Sequence, residues 1–133
     1  MTNWLIPHSK PTIDADEIAA VSKSLESGWL SNGPLIEQFE RALAQYTGSK
    51  HAVCVSSCTS ALHLCYSYFR RGHVYIPSLT YSATLTAAIT AGVATDAITL
   101  TDCGHELVMC PVHVPDSLAR LVVPVCIAGH IPD

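Results

Sequence analysis

The stretch from Cys54 to Leu64 runs from apolar residues through small hydroxyl residues into a second apolar segment. This order predicts a buried strand, a short polar turn and a helix that begins near Thr59. The first amides of a helix are free and its N-terminus is partly positive, so such a position attracts phosphate. Ser57, Thr59 and Ser60 would add hydroxyl groups there. Two interpretations remain open, a phosphate-binding turn and a simple helix cap made by Ser57.

A second group of residues could take part in chemistry, because it combines two thiols with two imidazoles: Cys103, His105, Cys110 and His113. Thiolate and imidazole ligands suit tetrahedral zinc. The spacing is not that of a standard zinc finger and Pro111 interrupts it, so the four residues also fit ordinary loop and strand positions. We therefore predict no metal site, and a zinc-stabilised interaction protein stays an alternative.

The composition indicates a folded domain with no affinity for nucleic acid. The chain has 133 residues, of which 49% are hydrophobic and 14% charged, a balance that excludes intrinsic disorder. Its formal net charge is −4, and Arg70–Arg71 is its only basic pair. Binding to nucleic acid needs a basic face, so we exclude it as a partner.

No apolar run approaches the roughly 20 residues that a membrane helix needs. Met1–His8 lacks the basic start of a signal peptide, so we expect a cytoplasmic protein with no membrane partner. Without a secretion signal, the six cysteines are expected to be buried thiols. The apolar surroundings of Cys54 and Cys65 favour this interpretation.

The elements that must position these residues follow from hydrophobic periodicity. Asp14 and Glu17 form a potential capping box, and Gly28 and Gly48 are expected to end the first two helices. The predicted helices cover residues 14–27 and 35–46, the segment from the polar turn to Phe69, and Tyr81–Ala91. The predicted strands are His51–Val55, His73–Ile76, Ala94–Thr101 and Leu121–Ile127. This alternation predicts an α/β fold with a mainly parallel sheet.

Eight segments together carry a family resemblance, in matching order and approximate spacing: Ile6–Pro11, Glu17–Val21, Ser27–Pro34, Phe39–Glu40, Tyr46–Gly48, Val55–Leu64, Pro77–Thr84 and Val123–His130. The chain resembles the DegT/StrS-type family of sugar aminotransferases that depend on pyridoxal 5′-phosphate (PLP). The resemblance spans almost the whole chain and is poorest over residues 103–120.

The resemblance implies the N-terminal part of the large domain of a fold-type-I PLP-dependent aminotransferase, a mainly parallel sheet with flanking helices. Residues 1–133 would form a single incomplete domain. Residues 1–50 would supply a helical segment and a substrate-side loop, and residues 51–133 the cofactor-binding part. Members of the family usually form homodimers and transfer an amino group, typically from glutamate, to a nucleotide-linked keto sugar.

The resemblance also assigns roles to residues around the polar turn. The backbone at Cys58 and Thr59, with Ser60 beside it, would hold the phosphate of PLP, and Tyr81 would stack on the pyridine ring. Without the family, Tyr81 would be interpreted as a core residue at a helix start. The family usually has glycine where this chain has Cys58, which fits only if the backbone there has a negative φ.

The predicted loop Trp29–Pro34 corresponds to a family segment that contributes to substrate binding. Trp29 could stack on a sugar or base, while Ser31 and Asn32 could form hydrogen bonds with hydroxyl groups. The alternative is a buried Trp29 that anchors the turn.

The catalytic lysine of the family has no counterpart in this sequence. PLP chemistry needs a lysine that forms a Schiff base and a carboxylate that faces the pyridinium nitrogen. The only lysines are Lys10, Lys23 and Lys50, and none matches the family position. We therefore assign no catalytic residue and expect an N-terminal portion that needs a complementing C-terminal half. A non-catalytic relative that binds PLP or a nucleotide sugar is the alternative.

Overall fold

The computed structural model describes residues 10–69, 72–101, 119–129 and 131. Within them the chain forms four α-helices and three strands, which we number in chain order: α1 (Ala15–Glu26), α2 (Pro34–Thr47), α3 (Cys58–Phe69), β1 (His73–Pro77), α4 (Ala83–Thr90), β2 (Ile98–Thr101) and β3 (Ala119–Val122). The chain divides into two compact units, residues 1–54 and residues 55–133. The first contains α1 and α2, and the second contains the remaining elements.

Helix α1 begins with the predicted capping box. The Asp14 side chain accepts a hydrogen bond from the amide of Asp16 at 3.2 Å, and the Glu17 carboxylate accepts one from the amide of Asp14 at 2.9 Å. The side-chain hydrogen bond with Asp14 lowers the pKa of Glu17. Gly28 follows the helix with φ of 74°, a left-handed conformation that glycine adopts without strain. The predicted helix over residues 14–27 is confirmed to within a residue at each end.

Helix α2 has a glycine at each end and a proline at its first position. Gly33 is the N-cap residue, and Pro34 loses no helical hydrogen bond because the first amides of a helix have no partner inside it. Gly48 ends the helix with φ of 69°, as predicted. No residue of α1 or α2 is buried.

The second unit contains a parallel sheet with the strand order β2-β1-β3. The central strand pairs Val74 with Ile98 on one side and with Leu121 on the other. Val74 and Ile76 are fully buried, as expected of a central strand of a parallel sheet with covered faces. The predicted α/β fold with a parallel sheet and flanking helices is confirmed.

The hydrophobic core lies between this sheet and the packed helices α3 and α4. The hydroxyl group of Tyr66 on α3 donates to the backbone carbonyl of Thr84 on α4 at 3.0 Å. Burial raises the pKa of the Tyr66 hydroxyl, which therefore stays protonated as a donor. The buried members of the core cluster are Tyr66, Val74, Ala87, Ala88 and Val93.

The strand predicted over His51–Val55 is wrong, because these residues form no strand in the structure. Sequence pattern reveals apolar β-branched residues but not whether a strand lies beside them to accept their hydrogen bonds. The amide of Cys54 instead donates to the carboxylate of Glu40 at 2.7 Å, and Val53 and Val55 are exposed.

Three other predicted elements are shorter than expected. Thr95–Ala97 form a 3₁₀ turn before β2, so the predicted strand Ala94–Thr101 begins at Ile98. Strand β3 ends at Val122, two residues before Pro124, which cannot donate a backbone hydrogen bond. Helix α4 covers residues 83–90 of the predicted range 81–91.

The prediction of buried thiols is wrong for the cysteines that the structure describes. Cys54, Cys58, Cys65 and Cys126 are all exposed. On α3, the adjacent Tyr66 occupies the buried position, whereas Cys65 is exposed. Cys103 and Cys110 lie outside the described residues.

Removal of the Tyr66 hydroxyl is expected to weaken the packing of α3 against α4. Tyr66→Phe deletes a buried hydrogen bond but keeps the ring, so we expect the free energy of unfolding to fall by about 1 kcal/mol. Tyr68→Phe is the matched control, because Tyr68 lies on the same helix and is 83% exposed, against 0% for Tyr66. Urea denaturation of the full chain measures both; equal stabilities of the two variants would contradict the role of the bond.

Candidate functional site

Helix α3 begins with Ser57 as its capping residue. The Oγ atom of Ser57 accepts a hydrogen bond from the amide of Ser60 at 3.1 Å, and its backbone carbonyl accepts one from the amide of Ala61 at 3.1 Å. The predicted cap is therefore present. The Ser57 side chain accepts a hydrogen bond from the amide of Ser60 only. The amides of Cys58 and Thr59 have no intrahelical partner, because they precede the first hydrogen bond of the helix.

Three serine hydroxyl groups surround this helix start. The Oγ atom of Ser60 lies 3.1 Å from that of Ser56 and 3.0 Å from that of Ser57. No acidic residue stands in the first turn of α3 to neutralise the partial positive charge of the helix N-terminus. Capping and anion binding are thus compatible here, because different amides would serve the two roles.

A cleft of about 500 Å³ lies beside the same helix start, on the side of α4. His63 is half-buried and is the only ionisable side chain among the lining residues. The residues that line the cleft are Ser57, Thr59, Ser60, His63, Leu64, Thr86, Ala87 and Thr90. Cys58 and Tyr81 do not line it.

Sequence analysis did not find two hydroxyl residues of this cleft, Thr86 and Thr90 of α4. Their spacing of four residues, which places them on one face of a helix, was the available signal. Both hydroxyl groups donate within the chain, Thr86 to the carbonyl of Ser82 at 3.1 Å and Thr90 to that of Thr86 at 2.9 Å. They can therefore offer a ligand lone pairs more readily than protons.

Tyr81 lies in the loop that follows the carboxyl end of β1. This is the edge of a parallel sheet at which ligands bind in open α/β folds. The Tyr81 side chain is 78% exposed, while its backbone carbonyl accepts a hydrogen bond from the amide of Thr84 at 3.0 Å. An anchored backbone with an exposed ring suits a stacking surface.

Trp29 and Ser31 line a cleft of about 840 Å³ within the unit of residues 1–54, and Asn32 is not among its lining residues. Trp29 is 59% exposed, so it is not a fully buried anchor within this unit. Its ring packs over Gly33: a Cβ atom on that glycine would lie 3.0 Å from the Cε3 atom of Trp29.

Within the described ranges, no cluster of three or more histidine, cysteine or acidic side chains could hold a metal ion. The predicted alternative ligands Cys103, His105, Cys110 and His113 lie outside the described residues. None of the described helices is both long and apolar enough to cross a bilayer.

The sequence profile of the DegT/DnrJ/EryC1/StrS aminotransferase family matches residues 11–133. The chain belongs to this family. The resemblance deduced from the sequence motifs is thereby confirmed, and the start of α3 and the loop of Tyr81 both fall within the matched residues.

Individual family members match at different lengths. The spore coat polysaccharide biosynthesis protein SpsC of Bacillus subtilis is 44% identical over 93 residues, which are 68% of this chain and 24% of that protein. A Streptococcus pneumoniae protein described as the sugar aminotransferase Spr1654 has solved structures in a PMP form and a PLP form. Both are 29% identical, with TM-scores of 0.83 and 0.82, and cover 98% of this chain and 34% of theirs. The chain thus spans about a quarter to a third of these family members.

Loss of the Ser57 hydroxyl is expected to destabilise the start of α3. Ser57→Ala removes the cap, so the free energy of unfolding should fall by about 1 kcal/mol. Ser67→Ala makes the same substitution at an exposed interior position of α3, where alanine favours the helix, and should be neutral or slightly stabilising. Urea denaturation compares the two variants; a neutral Ser57→Ala would show that the cap contributes nothing.

Proposed function

We propose that this chain is the phosphate-binding part of a PLP-dependent aminotransferase that acts on nucleotide-linked keto sugars in the cytoplasm, with glutamate as the amino donor. The observation that carries the proposal is the start of α3, where Ser57 caps the amide of Ser60 and leaves those of Cys58 and Thr59 without an intrahelical partner, next to a cluster of serine hydroxyl groups. Membership of the family and the similarity to SpsC and Spr1654 support polysaccharide biosynthesis and PLP as its context.

The residues at the start of α3 fit the cofactor phosphate. Cys58 replaces the usual family glycine, but it lies in the helix and is not among the residues with positive φ. Phosphate would be bound by backbone amides and not by the side chain, and Cys58 is exposed. The amides of Cys58 and Thr59, with the hydroxyl of Ser60, would hold the phosphate group.

Further roles are proposed for residues of each unit taken by itself. Tyr81 would stack on the pyridine ring, for which its exposed aromatic face is suited. Trp29 would contact the sugar or base of the substrate, while Ser31 and Asn32 would form hydrogen bonds with its hydroxyl groups. When bound, PLP supplies an electron sink for the transfer of the amino group.

We propose that the lysine that binds the cofactor is supplied by another part of the enzyme, because none of the three lysines here matches the family position. Lys10, Lys23 and Lys50 are the only lysines, so the unit of residues 55–133 that contains α3 has none. We therefore propose that the chain is inactive alone and works as part of a homodimer or with a complementing C-terminal half. The same observation favours a second candidate, a non-catalytic protein that binds PLP or a nucleotide sugar.

Pyridoxine 5′-phosphate tests the proposed phosphate site without interference from surface lysines, because it has no aldehyde and forms no Schiff base. Calorimetric titration of the full chain should show saturable binding that unphosphorylated pyridoxine lacks. Ser57→Asp keeps a capping carboxylate but places a negative charge beside the phosphate, so affinity should fall at least about tenfold.

Ser67→Asp is the matched control, because it adds the same charge about 15 Å farther along α3. It should bind as the unaltered chain does. Equal affinity for pyridoxine with and without its phosphate would refute the phosphate site. If the phosphate site is confirmed, turnover of glutamate by the chain alone would contradict the requirement for an external lysine.

A further inference from the structure

Thr84 forms hydrogen bonds with the backbone of Tyr81 and with the side chain of the residue before it. The amide of Thr84 donates to the carbonyl of Tyr81 at 3.0 Å. The hydroxyl group of Thr84 lies 2.8 Å from that of Thr80, which precedes Tyr81 in the loop. Thr84 thus contacts the residue that presents the exposed ring and the residue before it.

Thr84 also connects this loop to α3. It is only 5% exposed, and its carbonyl accepts the hydrogen bond from the buried hydroxyl of Tyr66 on α3. At the other end of the loop, the amide of Ser78 donates to the carbonyl of Thr101 on β2 at 2.8 Å. The loop is therefore held at both ends, while the Tyr81 side chain is exposed.

We propose that Thr84 is a positioning residue that holds Tyr81 in place to stack on the pyridine ring of the cofactor. This inference rests on the proposed function, in which α3 binds the phosphate of the same molecule. Phosphate and ring are joined covalently, so the two surfaces that bind them must keep a fixed separation. The hydrogen bonds from Tyr66 to Thr84, from Thr84 to Tyr81 and between the hydroxyl groups of Thr80 and Thr84 maintain that separation before the ligand arrives. This lowers the entropic cost of binding.

The test separates positioning of the ring from general stability by using two ligands. Pyridoxine 5′-phosphate contacts both surfaces, whereas inorganic phosphate contacts the α3 site alone. Tyr81→Ala should lower the affinity for pyridoxine 5′-phosphate by roughly two- to tenfold, the range expected for an aromatic stacking contact. Thr84→Val deletes the hydroxyl group but keeps the shape of the side chain. It should lower the affinity for pyridoxine 5′-phosphate by about threefold, which lies within that range. Neither variant should change the affinity for inorganic phosphate.

A double-mutant cycle and a conservative variant complete the experiment. In the Tyr81→Ala background, Thr84→Val should have no further effect, because the ring that it positions is gone. Thr84→Ser keeps a hydroxyl group and should restore the affinity for pyridoxine 5′-phosphate. If Thr84→Val does not fold, Thr80→Val breaks the same hydrogen bond from the half-buried partner and serves in the cycle.

The possible failures are distinguishable. If Thr84→Val lowers the affinity for both ligands equally, or if its effect adds to that of Tyr81→Ala, then Thr84 has only a structural role and the positioning proposal is overturned. In that case the phosphate site of the proposed function still stands. If the unaltered chain binds no pyridoxine 5′-phosphate, the proposed function fails and the positioning proposal fails with it.

Discussion

The first amides of α3, which have no hydrogen-bond partner within the helix, are the constraint on which the proposed phosphate site depends. Every helix begins with amides that lack an intrahelical partner. Here Ser57 engages one of them, and the first turn carries no acidic side chain that would neutralise the rest. The helix start therefore remains available to an anion without loss of the cap. The surrounding hydroxyl groups add polarity but no charge.

The rest of the second unit holds this helix start in place. The buried side of α3 packs against α4, and Tyr66 adds a directional hydrogen bond to an otherwise apolar contact. The central strand β1 is buried and paired on both sides, and it leads directly into the loop of Tyr81. One core thus supports both surfaces to which we assign the cofactor. By contrast, no residue of α1 or α2 is buried in this chain, and local features such as the capping box and Gly48 define the ends of these helices.

Features with a local cause were predictable from the sequence. The capping box of α1, the glycine that ends α2, the α3 helix and the strand at His73 all follow from neighbouring residues, and the structure contains each of them. The failure at His51–Val55 has a different origin, because a strand exists only where a second strand pairs with it. The contact between Thr80 and Thr84 joins a loop to a helix, and no sequence motif marks it. The roles of Cys58, Tyr81 and Trp29 come from the family resemblance and stay predictions.

The packing of Trp29 over Gly33 restricts how this segment can change during evolution. The indole ring occupies the space in which any side chain at position 33 would begin. A side chain at position 33 would therefore require the indole ring to move by a few tenths of an ångström, or a smaller residue at position 29. The glycine at the N-cap of α2 thus gives the aromatic ring four positions earlier a surface on which to pack.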